Sequence, residues 1–221
     1  MNDVNTRPYH HGNLRAELIR IGVALVADSG LEALTVREMA RRAGVSPAAV
    51  YRHFPGREGL RDAVREASQE ALEKAIRHEL DLVGSDAEEA ELLLAAGRGY
   101  FTFATNEPEL FACLSGGTFP PDAPHPRSAE HGSDAPPHPS PFTTLTELVT
   151  RTGVTPRLKK AQPPSTSSKD RAIVLWAAVH GIAVLCSNGT LRDLPEPRKH
   201  ELLDLTLRSA IRGTTGIEPP E

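Results

Sequence analysis

Cysteine is scarce in this chain: Cys113 and Cys186 are the only two in 221 residues. A pair this far apart sets up no disulfide framework. Nothing near either residue marks a low-pKa redox thiolate, so both are expected to be buried, reduced thiols. Aromatic residues make up only 5% of the chain, with a single tryptophan, so each one is a landmark. No run approaches the roughly 18 consecutive apolar residues of a membrane span. The opening MNDVNTRPYHHGN lacks the apolar core of a signal peptide, which predicts a cytoplasmic protein that does not engage a membrane. No Ser-His-Asp pattern, carboxylate pair or Gly-rich phosphate loop is present, so neither an enzyme nor a cofactor is expected. Strand-like alternation is also lacking, and the expected fold class is all-α.

Charge is unevenly distributed. The chain has a formal net charge of -4, yet Thr35 to Arg61 holds six arginines (Arg37, Arg41, Arg42, Arg52, Arg57, Arg61) against Glu38 and Glu58. A local basic footprint on an acidic body fits a nucleic-acid-reading module joined to a domain with another task. Proline is uneven too. Ser115 to Pro141 holds eight of the 19 prolines and three histidines (His125, His131, His138). It buries too little apolar surface to offset its ordering entropy and is expected to be a disordered loop, 115–141.

Helical periodicity accounts for much of the rest. Leu14, Leu18, Ile21 and Leu25 form one face, capped by Asn13 and ended at Ser29-Gly30. Thr35 caps a second helix whose inner stripe is Val36, Met39, Ala40 and Ala43. Gly44 supplies a left-handed turn residue. Ser46 caps a third helix with Pro47 in its first position, and Val50 and Phe54 face inward. After Pro55-Gly56 a long helix runs to about Val83 on Leu60, Val64, Leu72, Ile76 and Leu80. Ser85-Asp86-Ala87-Glu88 reads as a capping box for a helix carrying Leu92, Leu93, Ala96, Tyr100, Phe101 and Ala104. A start at Asn106-Glu107-Pro108-Glu109 leads into Leu110, Phe111 and Leu114. A short helix is expected over 142–152, an apolar one over 170–188, and a last one, after Pro195 and Pro197, to about Arg212.

Two short helices joined at Ala43-Gly44-Val45 have the organisation of a helix-turn-helix. The stretch YHHGNLRAELIRIGVALVADSGLEALTVREMARRAGVSPAAVYRHFPGREGL, with TVREMA, the turn AGVS and Val-Tyr-Arg-His-Phe in order, resembles the DNA-binding domain of the tetracycline-repressor (TetR) family over about Tyr9 to Asp62. Farther on, WAAVHGIAVL resembles the Trp-x-x-x-His-Gly signature of one C-terminal subgroup of that family. The resemblance implies a homodimeric transcriptional regulator, usually a repressor, released from a pseudo-palindromic operator by a small molecule. It places a flexible arm at 1–13, a three-helix DNA-binding domain at 14–55 (family domain about 9–70), and a larger helical effector-binding and dimerisation domain at 56–221. The last two helices are expected to pair with those of a second copy.

The residue types then assign roles. Ser46, Pro47, Ala48 and Ala49 are short enough for close approach to a groove, and the Ser46 hydroxyl can donate to phosphate or base. Arg52 is the long donor best able to reach a guanine edge. The family pattern makes Tyr51 and His53 phosphate contacts, with Thr35 and Arg37 similarly placed. Arg57 opens the fourth helix, where many relatives carry Lys, and is expected to meet a phosphate. Arg7-Pro8-Tyr9-His10-His11 either tracks the duplex or frays. Tyr100, Phe101, Phe103, Phe111, Trp176 and His180 are candidate effector-pocket residues, an apolar set with few polar handles. Trp176 and His180 share a helix face, and Gly181 suits a close packing seam. A metal-responsive regulator using His125, His131 and His138 is the alternative, but the spacing is irregular and no metal site is assigned.

Overall fold

The computed structural model describes residues 14–84, 86–115, 147 and 167–216. Among these the regular structure is helical and no strand occurs: α1 Leu14–Ser29, a 3-10 turn Leu31–Ala33, α2 Val36–Ala43, α3 Pro47–Tyr51, α4 Gly56–Val83, α5 Glu89–Asn106, α6 Pro108–Ser115, α7 Ser168–Ser187 and α8 Glu196–Thr215. The all-α expectation holds. The expected helix over 142–152, the loop 115–141 and the arm 1–13 lie outside the described residues, apart from Ser115 and Glu147. Two compact units divide the chain, Met1–Ala67 and Ser68–Glu221, and α4 carries residues of both.

In the first unit, Leu18, Leu25, Val26, Leu34, Met39, Val50, Phe54, Leu60 and Val64 are buried together in one small core. The helix ends are chemically defined. The Thr35 hydroxyl accepts the Glu38 N–H at 3.2 Å, and the Ser46 hydroxyl accepts the Ala49 N–H at 3.3 Å. Between them Gly44 takes φ 67°, ψ 30°, a left-handed conformation that costs a side-chain-bearing residue roughly 1–2 kcal/mol. Val36 and Ala43, expected on the inner stripe of α2, are only half-buried, as is Val45 in the turn.

The second unit is organised around α5, in which 11 of 18 residues are buried, so it is enclosed on several sides. α6, α7 and α8 pack on it, and α7 and α8 pack on each other. The start of α5 differs from expectation: its cap is Glu88, whose N–H donates to the Glu91 carboxylate at 3.0 Å, so the box lies three residues beyond Ser85. α7 begins at a true capping box, with Ser167 and Asp170 each bonding the other's backbone N–H at 3.1 Å. On α8 the inward leucines are Leu203 and Leu207, whereas Leu205 points to solvent.

Close helix approach in this unit is set by glycine. A Cβ on Gly99 would lie 2.6 Å from the Ala75 carbonyl oxygen and 2.6 Å from the Ile76 Cα, both backbone atoms of α4. A Cβ on Gly97 would instead meet the end of the Leu207 side chain at 2.7 Å, which can turn away. Gly99→Ala is therefore expected to cost about 1–3 kcal/mol by forcing α4 and α5 apart. Gly97→Ala recovers part of its clash through the roughly 1 kcal/mol helix-propensity gain of alanine. Urea unfolding should give the Gly99 variant the clearly lower midpoint.

Candidate functional site

The described residues carry two candidate sites, one in each unit. The first is the outer face of α2 and α3. α3 is only five residues long and ends at Tyr51, with Arg52 and His53 in the turn that follows. Its inner side buries Ala49 and Val50; its outer side exposes Ser46, Pro47, Ala48, Tyr51 and Arg52. Tyr51 is 58% exposed, unusual for so large a ring, and Thr35 and Arg37 are exposed at the start of α2. His53 is half-buried.

Two expected contacts stand in surroundings that the sequence did not predict. Ala49 is 6% exposed and belongs to the core, because its face of α3 turns toward α2. Arg57 does not open α4 with a free guanidinium. Its Nε donates to the Leu34 carbonyl at 3.1 Å, and its Nη2 donates to the Glu32 carbonyl at 3.1 Å and the Glu32 carboxylate at 2.8 Å. Neighbouring arginines are occupied too. Arg41 grips Glu38 through two bonds of 2.8 and 2.6 Å, Arg42 reaches the same carboxylate at 2.9 Å, and Arg61 reaches Glu32 at 2.8 Å. The Glu38 carboxyl is held down at about 2, first by its bonds to Arg41 and then by those to Arg42. Of the six arginines from Arg37 to Arg61, only Arg37 and Arg52 lack an ion pair with a described residue. The basic footprint is thus narrower than composition implies: two open guanidiniums beside an exposed tyrosine and short side chains. Arg15 is a further cation here, set 5.6 Å over the Phe54 ring, a contact that the sequence pattern gave no sign of.

The second site brings together four of the six expected pocket residues. The Tyr100 hydroxyl and His180 Nδ1 lie 2.8 Å apart in a hydrogen bond. Trp176 stacks on the His180 ring with centroids 4.6 Å apart and planes at 11°. Phe111 meets Tyr100 edge-on at 5.6 Å and His180 at 5.7 Å. Phe101, wholly buried, turns instead to the His200 ring on α8 at 5.6 Å, about 100° round α5 from Tyr100. Phe103 is buried on the Tyr100 side of α5. Burial pushes the Tyr100 phenol up and the His180 imidazole down, so both are neutral near pH 7. With the imidazole proton on Nε2, the Tyr100 hydroxyl donates to Nδ1. His125, His131 and His138 lie outside the described residues.

An exposed helix-turn-helix face in a unit whose described residues are helical is the architecture of the DNA-binding regulator class. Residues 18–64 match the family model of bacterial regulatory proteins of the tetR family, and residues 93–210 match that of a tetracyclin repressor-like C-terminal domain. The chain belongs to the TetR family of bacterial regulatory proteins. It is 31% identical over 109 residues to the nucleoid occlusion factor SlmA of Vibrio cholerae serotype O1, covering 47% of this chain and 52% of that protein. It is 43% identical over 53 residues to the class C tetracycline repressor protein of Escherichia coli, 24% of each. The chain therefore spans about half the length of SlmA and about a quarter of that of the class C tetracycline repressor. A protein of unknown function from Rhodococcus sp. RHA1 shares its fold with TM-score 0.69 and 26% identity, over 95% of this chain and 100% of that one. A tetR-family transcriptional regulator from Streptomyces coelicolor shares the fold alone, at TM-score 0.53 and 18% identity, over 94% of this chain and 84% of that one.

His180 carries a pH signature. Because its folded pKa is lowered, the unfolded chain takes up the proton first as pH falls. The stability of the neutral state is complete above the unfolded value of about 6.5 and is lost below it, toward the folded value. The stability advantage of the unaltered protein over His180→Gln is thus expected to shrink between about pH 7.5 and 5.5, measured by urea midpoints. A constant difference across that range counts against this reading.

Proposed function

We propose that the protein is a homodimeric repressor that binds a pseudo-palindromic operator and is released by a small molecule. The observation that carries the operator reading is the outer arc of α2 and α3. There Ser46, Pro47, Ala48, Tyr51 and Arg52 stand clear of the core with Thr35 and Arg37 beside them. His53 joins this set as a phosphate contact. In a dimer, two such faces enter successive major grooves about 34 Å apart. Short residues at the start of α3 allow close approach, and Arg52 supplies the long donor to a base edge.

The dimer reading rests on an apolar surface. Ile173, Val174, Val184 and Leu185 on α7 are exposed, as is Leu205 on α8 at 65%. Gly181, on the same outer side of α7, has open space where a Cβ would stand. α7 is also apolar and long enough to cross a membrane by length and composition alone. Its opposite face, through Leu175, Val179, Ile182 and Cys186, packs into the unit core, so a second copy suits it better than lipid. In this reading the chain acts as a cytoplasmic protein.

The effector reading rests on Tyr100, Phe111, Trp176 and His180. Apolar rings around one hydrogen-bonded neutral pair suit an uncharged or weakly polar ligand at that point. The Trp176-His180 stack also supports placing the chain in the Trp-x-x-x-His-Gly subgroup. A ligand need supply only about 1–3 kcal/mol of coupling to regulate.

Footprinting of the chain's own upstream region tests the operator reading. Tyr51→Ala combined with Arg52→Ala is expected to weaken operator binding by at least about tenfold, and unchanged affinity removes the assignment. For the dimer, Leu205→Glu combined with Val184→Glu is expected to give a folded monomer by analytical ultracentrifugation, since each buried charge lacks a partner. A dimer that persists with unchanged affinity places the seam elsewhere.

A further inference from the structure

We propose that Glu32 and Arg57, together with Arg61, are positioning residues for DNA binding: they tie the start of α2 to the start of α4 and so fix the spacing between the two ends of the DNA-facing surface. The inference rests on the chain being a DNA-binding protein and gives Arg57 a task other than holding a phosphate.

The geometry is specific. The Arg57 guanidinium spans three oxygens of the 3-10 turn and its exit: the Leu34 carbonyl at 3.1 Å, the Glu32 carbonyl at 3.1 Å and Glu32 Oε2 at 2.8 Å. The other carboxylate oxygen, Oε1, accepts from Arg61 Nη2 at 2.8 Å. Leu34 is fully buried and directly precedes Thr35, the cap of α2. Arg57 lies five residues after Arg52, with buried Phe54 between them. One cluster therefore joins the segment that presents Thr35 and Arg37 to the segment that follows Tyr51, Arg52 and His53.

Three features argue for geometry over charge. Two of the three acceptors on Arg57 are backbone carbonyls of a turn too short to satisfy its own polar groups. A planar fork can serve oxygens spread over Glu32 and Leu34, whereas a lysine ammonium is a point donor and cannot hold the same spread. The Glu32 side chain is 83% exposed, so the attraction alone contributes little to stability.

Glu32→Gln separates the two roles because they predict opposite signs. Glutamine keeps one acceptor oxygen and can serve only one of the two arginines, while it removes the negative charge that neutralises them. If Arg57 were a phosphate ligand masked by Glu32, Glu32→Gln would tighten DNA binding and steepen its salt dependence. If the cluster positions the surface, Glu32→Gln weakens recognition of the preferred sequence.

The experiment uses the full chain, its Glu32→Gln and Arg57→Lys variants, and two probes: a duplex enriched by the unaltered chain from a randomised library, and a duplex of random sequence. Affinities are measured by fluorescence anisotropy over a salt series, at a temperature where circular dichroism shows each variant folded. Both variants are expected to lose about tenfold on the enriched duplex, comparable to one misplaced base contact. Arg57→Lys should keep its affinity for the random duplex within about twofold and leave the salt slope unchanged, because it retains the charge, whereas Glu32→Gln, which removes one negative charge, is read by the ratio of its two affinities, which should fall about tenfold. Tighter binding of Glu32→Gln to both duplexes overturns the proposal in favour of a phosphate ligand. A lower melting temperature with an unchanged ratio of the two affinities overturns it in favour of a purely structural clamp. An unaltered chain that treats both duplexes alike removes sequence-specific binding itself, and the proposal with it.

Discussion

The left-handed turn at Gly44 is the constraint on which the DNA-facing half depends. Its φ of 67° closes α2, and the Val45 N–H then returns to the Ala40 carbonyl at 3.0 Å. That reversal puts Met39 and Ala40 of α2 and Ala49 and Val50 of α3 into one core with Leu18, Leu25 and Phe54. α3 is too short to be stable alone and holds its shape through this burial and the Ser46 cap. What remains outside is an arc whose composition the core has already chosen. Positions that face α2 must be apolar, so on the proposed operator reading the contacts with DNA fall to Ser46, Pro47, Ala48, Tyr51 and Arg52.

Charge in this unit is spent mainly on holding shape. Over residues 14–67 nine arginines stand against seven acids, a smaller excess than the stretch from Thr35 to Arg61 implies, because Asp28 and Glu32 lie just outside that stretch and fold back on it. Glu38 collects Arg41 and Arg42; Glu32 collects Arg57 and Arg61. Exposed pairs of this kind add little to stability singly. They do lower the unspecific attraction of the surface for a polyanion, since a paired guanidinium releases fewer counterions on binding. On the proposed operator reading, sequence preference then rests on a few open groups and not on bulk charge.

Local signals were the legible ones. Thr35, Gly44, Ser46 and Pro47 each act within three or four residues, and each cap and turn stands where its chemistry requires. Helical periodicity located the inward stripes of α1 and α4. It failed where a helix is enclosed on several sides: α5 buries 11 of 18 residues, so no stripe distinguishes Phe101, facing α8, from Tyr100, facing α7. It failed again on α8, where Leu202, Leu203, Leu205 and Leu207 crowd one segment and only packing sorts Leu203 and Leu207 inward. Ala49 was misread because a small residue beside the groove-facing set looks the same whether it points in or out. The partners of Arg57 were not legible because they lie 23 and 25 residues earlier, beyond any local pattern.

The second unit raises a different question: why a histidine and a tyrosine are kept in an apolar cluster at all. Removing either partner would leave the other half- or fully buried without its bond, a cost of about 1–3 kcal/mol. The pair is tolerable because both groups are neutral and bond each other at 2.8 Å, and Trp176 adds a side-chain hydrogen bond to the Tyr100 hydroxyl. Trp176 covers one face of His180 and Phe111 approaches it from another, so water has restricted access and the neutral form is favoured further. The pair spans α5 and α7, and α7 is the helix whose outer face carries Ile173, Val174, Val184 and Leu185. A ligand competing for the Tyr100 or His180 hydrogen bond would act on the contact between a largely enclosed helix and one with an exposed apolar face. On the proposed effector reading, a directional polar link of this kind can exchange its partner for a ligand group, which an all-apolar packing of the same size would not provide.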